Sequence, residues 1–138
     1  MNGGIEEGMA QNIKQLQHAP IGVFDSGVGG LTVAREIMRQ IPNEKIVYFG
    51  DTARVPYGSK GKDTITRFSC QDVRFLLSKN VKAVIVACNT ASSNSLEYLQ
   101  EKFPIPVFGT VIPGAVEAAR QTKNKRVGII ATAATVRS

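Results

Sequence analysis

The chain has 138 residues, of which 43% are hydrophobic, and its formal net charge at pH 7 is +6. This length and composition suit one α/β domain with its own core and leave little room for two. The 17 Lys and Arg residues are scattered singly except at 123–126, and no apolar run is long enough to cross a bilayer. The charge therefore indicates a solvated surface, and we expect neither a nucleic-acid partner nor a membrane.

The cysteines and the histidine argue against two kinds of site. Cys70 and Cys88 form no CxxC pair, and His18 lies outside the periodic part of the chain. This pattern excludes the usual zinc motifs and a disulfide framework, so we expect no bound metal. It fits a reducing, cytoplasmic setting, and the N-terminus lacks the apolar segment of a signal peptide.

The hydrophobic pattern predicts a flexible extension over 1–19, followed by a repeating unit of strand, small polar loop and helix. The unit occurs five times, with the last one incomplete, which predicts an α/β fold with a doubly wound parallel sheet. The predicted strands are 21–24, 46–49, 81–87, 105–108 and 127–131, and the predicted helices are 31–41, 62–78, 93–102 and 113–121.

A glycine-rich loop, DSGVGG at 25–30, follows the first strand. The dinucleotide-binding spacing fails because Thr32 stands where its third glycine belongs, and the P-loop pattern fails because Val28 replaces its lysine. Two interpretations remain open. The loop is either a backbone anion nest, with Asp25 and Ser26 at its mouth for a ligand that carries an ammonium and a carboxylate, or a helix cap made by those two side chains.

The second loop, 50–58, contains a stiff Pro56-Tyr57-Gly58 turn. This turn can present backbone N–H groups and a phenol towards the ends of the strands, where open α/β sheets bind ligands.

The stretch VKAVIVACNTAS at 81–92 predicts a strand buried on both faces that ends on Cys88 and leads into a helix. A thiol at a strand-to-helix junction faces unpaired N–H groups, which favour thiolate and make it a candidate base. The alternative is an inert, buried cysteine. For Cys70, which falls within a predicted helix, core packing is the favoured interpretation.

The last predicted strand ends in a small polar loop at 132–135, and the chain stops three residues later. A parallel strand ordinarily leads into a covering helix, so this ending predicts a truncated domain.

Four stretches together resemble the glutamate racemases, which are cofactor-independent members of the aspartate/glutamate racemase superfamily. These are IGVFDSGVGGLTV at 21–33, YFGDTARVPYG at 48–58, VACNTAS at 86–92 and GIIATAATVRS at 128–138. The resemblance implies two similar, flavodoxin-like α/β domains with glutamate between them. Residues 20–112 would form the first domain, and 113–138 would begin the second, which is truncated.

The resemblance implies an isomerase that interconverts L- and D-glutamate to supply D-glutamate for peptidoglycan in cell-wall biogenesis. Cys88 would be one of two thiols on opposite faces of the substrate Cα, and no cofactor would be needed. The family's second cysteine, in a Gly-Cys-Thr-His context, is missing here. The site residues that the resemblance implies are Cys88 and Asp25 for catalysis, with Asp25, Ser26, Tyr57, Gly58, Asn89, Thr90, Thr132 and Thr135 for substrate binding.

The resemblance leaves a homodimer open for the full-length family. It also leaves open a related racemase acting on aspartate or a hydantoin. Two other hypotheses come from different classes: a non-catalytic, flavodoxin-like ligand-binding module in which Cys88 is structural, and an inactive truncated product.

Overall fold

A computed structural model describes residues 17–138. Most of the predicted extension over 1–19 lies outside the described residues; of its last residues, Gln17 and His18 are exposed.

From residue 20 onward the chain contains a four-stranded sheet and five helices. The strands are β1 (Ile21–Asp25), β2 (Ile46–Gly50), β3 (Ala83–Val86) and β4 (Val107–Gly109). The helices are α1 (Leu31–Gln40), α2 (Lys62–Leu77), α3 (Asn89–Lys102), α4 (Val111–Gln121) and α5 (Ala133–Val136). The sheet order is β2-β1-β3-β4 and every pair is parallel, which confirms the predicted class.

Helices cover the sheet because parallel neighbours need crossover connections. Right-handed crossovers place α1 on one face and both α2 and α3 on the other, since the chain steps outward to β2 and then back across β1 to β3. The contacts agree, because α2 and α3 pack against each other and α1 contacts β2.

The hydrophobic core lies between the sheet and the α2–α3 layer. Phe24, Val84 and Val86 point into it from the strands, and Leu76 and Leu99 meet them from the helices, all fully buried. Each such side chain contributes about 1.5–3 kcal/mol through apolar burial. Cys70 lies in the same cluster with 4% exposure, which confirms its predicted role in packing.

The opposite face of the sheet is only partly covered, so the prediction that the third strand is buried on both faces is wrong. Burial alternates along β3: Val84 and Val86 are buried, but Ala83 and Ile85 are half-buried. Further along the same face, Phe108 of β4 is 57% exposed. The reason is that α1 packs on β2, at the other end of the sheet.

The predicted fifth strand at 127–131 is also wrong. This segment has no strand assignment and is exposed throughout, with Ile130 fully accessible. A strand needs a neighbour for its backbone hydrogen bonds, and no described strand lies beside this one. The apolar run therefore did not suffice to predict a strand.

Helix α5 was not predicted, because the small polar residues at 132–135 indicated a loop. The remaining boundaries differ by a few residues. The helix after the third strand begins at Asn89 rather than at residue 93, and Pro113 lies in the first turn of α4, as predicted. The proposed division at residue 112 falls within that turn. Among residues 17–138, no helix is long and apolar enough to cross a membrane.

Candidate active site

The carboxyl ends of the parallel strands bring the candidate residues to one edge of the sheet. Asp25 at the end of β1 is in register with Gly50 at the end of β2. On the other side, Phe24 is in register with Val86, and Val86 with Gly109. The Gly-rich loop, the 50–58 loop and the start of α3 therefore meet at this edge.

Cys88 is the N-cap residue of α3, with an extended backbone (φ −79°, ψ 114°). Its Sγ accepts a hydrogen bond from the Ala91 N–H at 3.4 Å, and its thiol donates to the Ser26 Oγ, also at 3.4 Å. The side chain is 5% exposed. Because the sulfur contacts both a hydroxyl and a backbone N–H group, its orientation at the carboxyl edge of the sheet is defined. The structure thus brings the predicted Cys88 and Ser26 together.

The Gly-rich loop folds back on its own carboxylate. The Gly27 N–H donates to Asp25 Oδ2 at 3.0 Å, which closes a tight turn. Gly30 is the N-cap of α1 and no side chain caps this helix, so the helix-cap interpretation of Asp25 and Ser26 is wrong. A Cβ atom at Gly30 would lie 2.6 Å from the Cβ of Asp25 and 2.8 Å from that of Ala87. Glycine is therefore required for α1 to start directly on the strand ends.

Tyr48 belongs to this site, although the sequence reasoning missed it. Its hydroxyl donates to the Gly27 carbonyl oxygen at 3.1 Å. Burial, followed by the nearby charges of Asp25 and Cys88, raises the pKa of Tyr48. The signal in the sequence was a tyrosine two residues before the end of a strand that leads into a candidate loop.

The Tyr57 side chain faces inward, contrary to its predicted orientation. It is 1% exposed, and its hydroxyl lies 2.5 Å from Asp51 Oδ2 and 2.9 Å from Asp72 Oδ2. A ligand at this turn would therefore meet backbone rather than phenol. The N–H groups of Tyr57 and Gly58 have no hydrogen-bond acceptor among residues 17–138.

Three threonine hydroxyls form a cluster beside this turn. Thr90 Oγ1 lies 2.9 Å from Thr132 Oγ1 and 3.5 Å from Thr135 Oγ1, and the latter two are 3.0 Å apart. A Cβ atom at Gly58 would lie 2.5 Å from Thr132 Cγ2. The structure thus brings Gly58, Thr90, Thr132 and Thr135 into one group.

Asn89 lies at the opposite side of the α3 N-terminus and is exposed. Its Oδ1 accepts a hydrogen bond from the Thr110 hydroxyl at 2.9 Å, and Thr110 itself was not predicted. The amide NH₂ of Asn89 donates to no group among residues 17–138. The first backbone N–H groups of α3, those of Asn89 and Thr90, have no acceptor in the described chain, as expected for a helix N-terminus.

The edge thus offers one thiol, one carboxylate, several hydroxyls and backbone N–H groups that have no acceptor in the described chain. Such a set can bind a small zwitterion and move a proton to or from it. Within the described part of the chain, no group of three or more His, Cys, Asp or Glu side chains has the arrangement of a metal site.

Comparison with known proteins identifies the family. The profile of the Asp/Glu/Hydantoin racemase family matches residues 21–138, and the chain belongs to this family. A glutamate racemase from Lactococcus lactis subsp. cremoris (strain MG1363) is 54% identical over 123 residues, which are 89% of this chain and 45% of that protein.

Solved structures give the same result. A glutamate racemase isoform from Bacillus anthracis superposes with a TM-score of 0.83 and 48% identity, over 87% of this chain and 45% of that one. The glutamate racemase of Francisella tularensis, solved in complex with D-glutamate, has a TM-score of 0.76 and 47% identity over the same shares. The chain thus spans about half the length of the relatives that it matches.

Proposed function

We propose that this chain forms the part of a glutamate racemase that carries one of its two cysteine bases and much of its substrate site. The whole enzyme would interconvert L- and D-glutamate without a cofactor and supply D-glutamate for peptidoglycan. One observation carries the proposal: the Cys88 sulfur is held by Ser26 and the Ala91 N–H at the carboxyl edge of the sheet.

The contacts suggest how glutamate would bind. Asp25 supplies the negative charge that the substrate ammonium needs. The N–H groups of Gly58, Asn89 and Thr90, which have no acceptor among residues 17–138, suit the carboxylates. The hydroxyls of Thr132 and Thr135 lie near Thr90, and Thr132 also lies against Gly58. Tyr57 would contribute through its backbone, because its hydroxyl is engaged with Asp51 and Asp72.

Proton transfer follows from this placement. The Cys88 thiolate would take the Cα proton from one face of glutamate, and the electron pair would move into the α-carboxylate to give an enediolate-like state. Backbone N–H donors that point at that carboxylate stabilise the developing charge. Return of a proton on the opposite face needs a second thiol. The other cysteine of this chain, Cys70, is packed in the core on α2, so we expect exchange at a single face.

The proposal is tested by Cα–H exchange of D- and L-glutamate in heavy water, followed by proton NMR. We expect exchange of one enantiomer, without racemisation, that disappears in Cys88→Ala. Cys70→Ala is the matched control and should retain it, with thermal melts to confirm that both variants are folded. Equal exchange in the two variants would contradict the assignment, and faster exchange of aspartate than of glutamate would favour the related aspartate racemases.

We further propose that residues 113–138 begin the second α/β domain of such an enzyme. In its support, α4 has no buried residue in the described chain, and both Ile112 and Val116 are more than 60% exposed. A cytoplasmic location is proposed because Cys70 and Cys88 are both free thiols. The full-length enzyme is proposed to form a homodimer on the family resemblance.

A further inference from the structure

Behind the 55–58 turn lies a cluster of charged and polar side chains that the proposed mechanism does not use. Its centre is Asp72, a fully buried residue on α2. Arg54 donates to Asp72 Oδ1 at 2.8 Å and pairs with Asp51 Oδ2 at 2.6 Å. The Tyr57 hydroxyl lies between the two carboxylates. A fully buried carboxylate is costly unless it is paired and hydrogen-bonded, as Asp72 is here.

The single hydroxyl proton of Tyr57 lies between two carboxyl oxygens, one from Asp51 and one from Asp72. The Tyr57 hydroxyl carries one proton, yet its oxygen lies 2.5 Å from Asp51 Oδ2 and 2.9 Å from Asp72 Oδ2. The hydroxyl proton can be donated to only one of these oxygens at a time, and Arg54 supplies a further N–H to each carboxyl group. Burial raises the pKa of Asp72 to about 6 and the charge of Asp51 acts in the same direction, whereas bonds from Tyr57 and Arg54 oppose the shift.

These contacts fix the turn from the inside. The Tyr57 ring packs against the Phe68 ring with a centroid distance of 5.6 Å. The Arg54 guanidinium lies 4.4 Å from the centroid of the Phe68 ring. On the other side, the Tyr57 carbonyl accepts the Lys60 N–H at 2.9 Å. The next residue, Gly58, meets Thr132 with no room for a Cβ atom. The turn is therefore held between α2 and the threonine cluster.

We propose that Asp72 is a positioning residue, which holds the 55–58 turn through Tyr57 and Arg54 so that the Gly58 N–H stays directed at a substrate carboxylate. Asp72 itself touches no substrate. The role of the turn in glutamate binding rests on the proposed function, but the immobilisation of the turn does not.

The test combines amide hydrogen exchange with D-glutamate binding, both measured by NMR on the whole chain. The variant is Asp72→Asn, and the matched control is Asp63→Asn, which makes the same change at an exposed position of α2. We expect exchange of the Lys60 N–H to accelerate about tenfold, the factor for one hydrogen bond to a charged group, while the α2 amides of Val73 and Leu76 keep their rates. The affinity for D-glutamate should fall by a similar factor, and Asp63→Asn should change neither quantity.

A purely structural role would give a different result. Equal acceleration at Lys60, Val73 and Leu76 would overturn the proposal, as would unchanged Lys60 exchange in a folded variant. If Asp72→Asn does not fold, Tyr57→Phe replaces it, because this variant removes the hydroxyl and keeps the ring. It must then accelerate amide exchange at Lys60 and not at Val73 or Leu76, and failure to do so refutes the proposal. Lack of D-glutamate binding by the wild-type chain would count against the proposed function, while the exchange rates still decide whether Asp72 holds the turn.

Discussion

Replacing Gly30 by alanine tests whether the strand-end site depends on the close approach of α1. The added Cβ would lie 2.6 Å from the Cβ of Asp25 and 2.8 Å from the Cβ of Ala87. Real Cβ atoms do not come this close to rigid backbone-attached carbons, so α1 or a strand end must shift. Overpacking of this kind costs about 1–3 kcal/mol. We therefore expect Gly30→Ala to lower the free energy of unfolding by that amount.

The matched control is Gly114→Ala in α4, where nothing lies within 4 Å of the added Cβ. Alanine is favoured over glycine inside a helix by about 1 kcal/mol, so this variant should be as stable as the wild-type chain or more stable. Urea unfolding followed by circular dichroism measures both. If Gly30→Ala were as stable as Gly114→Ala, the claim that position 30 has no room for a Cβ atom against the strand ends would be refuted.

Three further predictions concern the site and its surroundings. Thr90→Val removes a hydroxyl 2.9 Å from Thr132 and should loosen α5 by about 1 kcal/mol, seen as faster amide exchange over Ala133–Val136 with little change elsewhere. Tyr48→Phe removes the bond to the Gly27 carbonyl and should cost about 1 kcal/mol in urea unfolding; an unchanged midpoint would contradict the geometry. Burial raises the folded-state pKa of Asp72 from 3.8 to about 6, so the folded chain binds this proton more tightly than the unfolded chain does. Its contribution is fully present below about pH 4 and is lost as the pH rises through about 6, by at most about 3 kcal/mol. Asp72→Asn removes this dependence, so the difference in unfolding free energy between wild-type and variant should change between about pH 4 and pH 6, and a difference that does not vary with pH would exclude it.

The sequence predicted the four strands, the helices α1 to α4 and the position of Cys88 because these depend on local patterns. Apolar periodicity marks each strand and helix, and a strand that ends on Cys88 places the thiol at the carboxyl edge whatever the neighbouring strands do. The polar residues at the ends of the other strands were predicted for the same reason. The parallel sheet then brings Asp25 and Cys88 to one edge.

What the sequence missed depends on contacts between distant segments. The direction of the Tyr57 side chain follows from two carboxylates, one of which, Asp72, lies on another element. Thr110 was missed because its partner, Asn89, is 21 residues away in the chain. The strand predicted at 127–131 failed because strand formation needs a neighbour as well as β-branched residues. Local propensity contains no information on any of these contacts.

The central position of β1 has a consequence for how the chain folds. β1 and β2 are joined through α1, and β3 and β4 through α3, so each pair is close in sequence. Only the pairing of β1 with β3 crosses a long stretch, and the Cys88–Ser26 contact at its end joins residues 62 positions apart. Closure of such a loop carries a larger entropic cost than closure within either unit. We therefore expect the thiol site, which lies at the junction of two locally connected halves, to be among the last parts of the molecule to assemble.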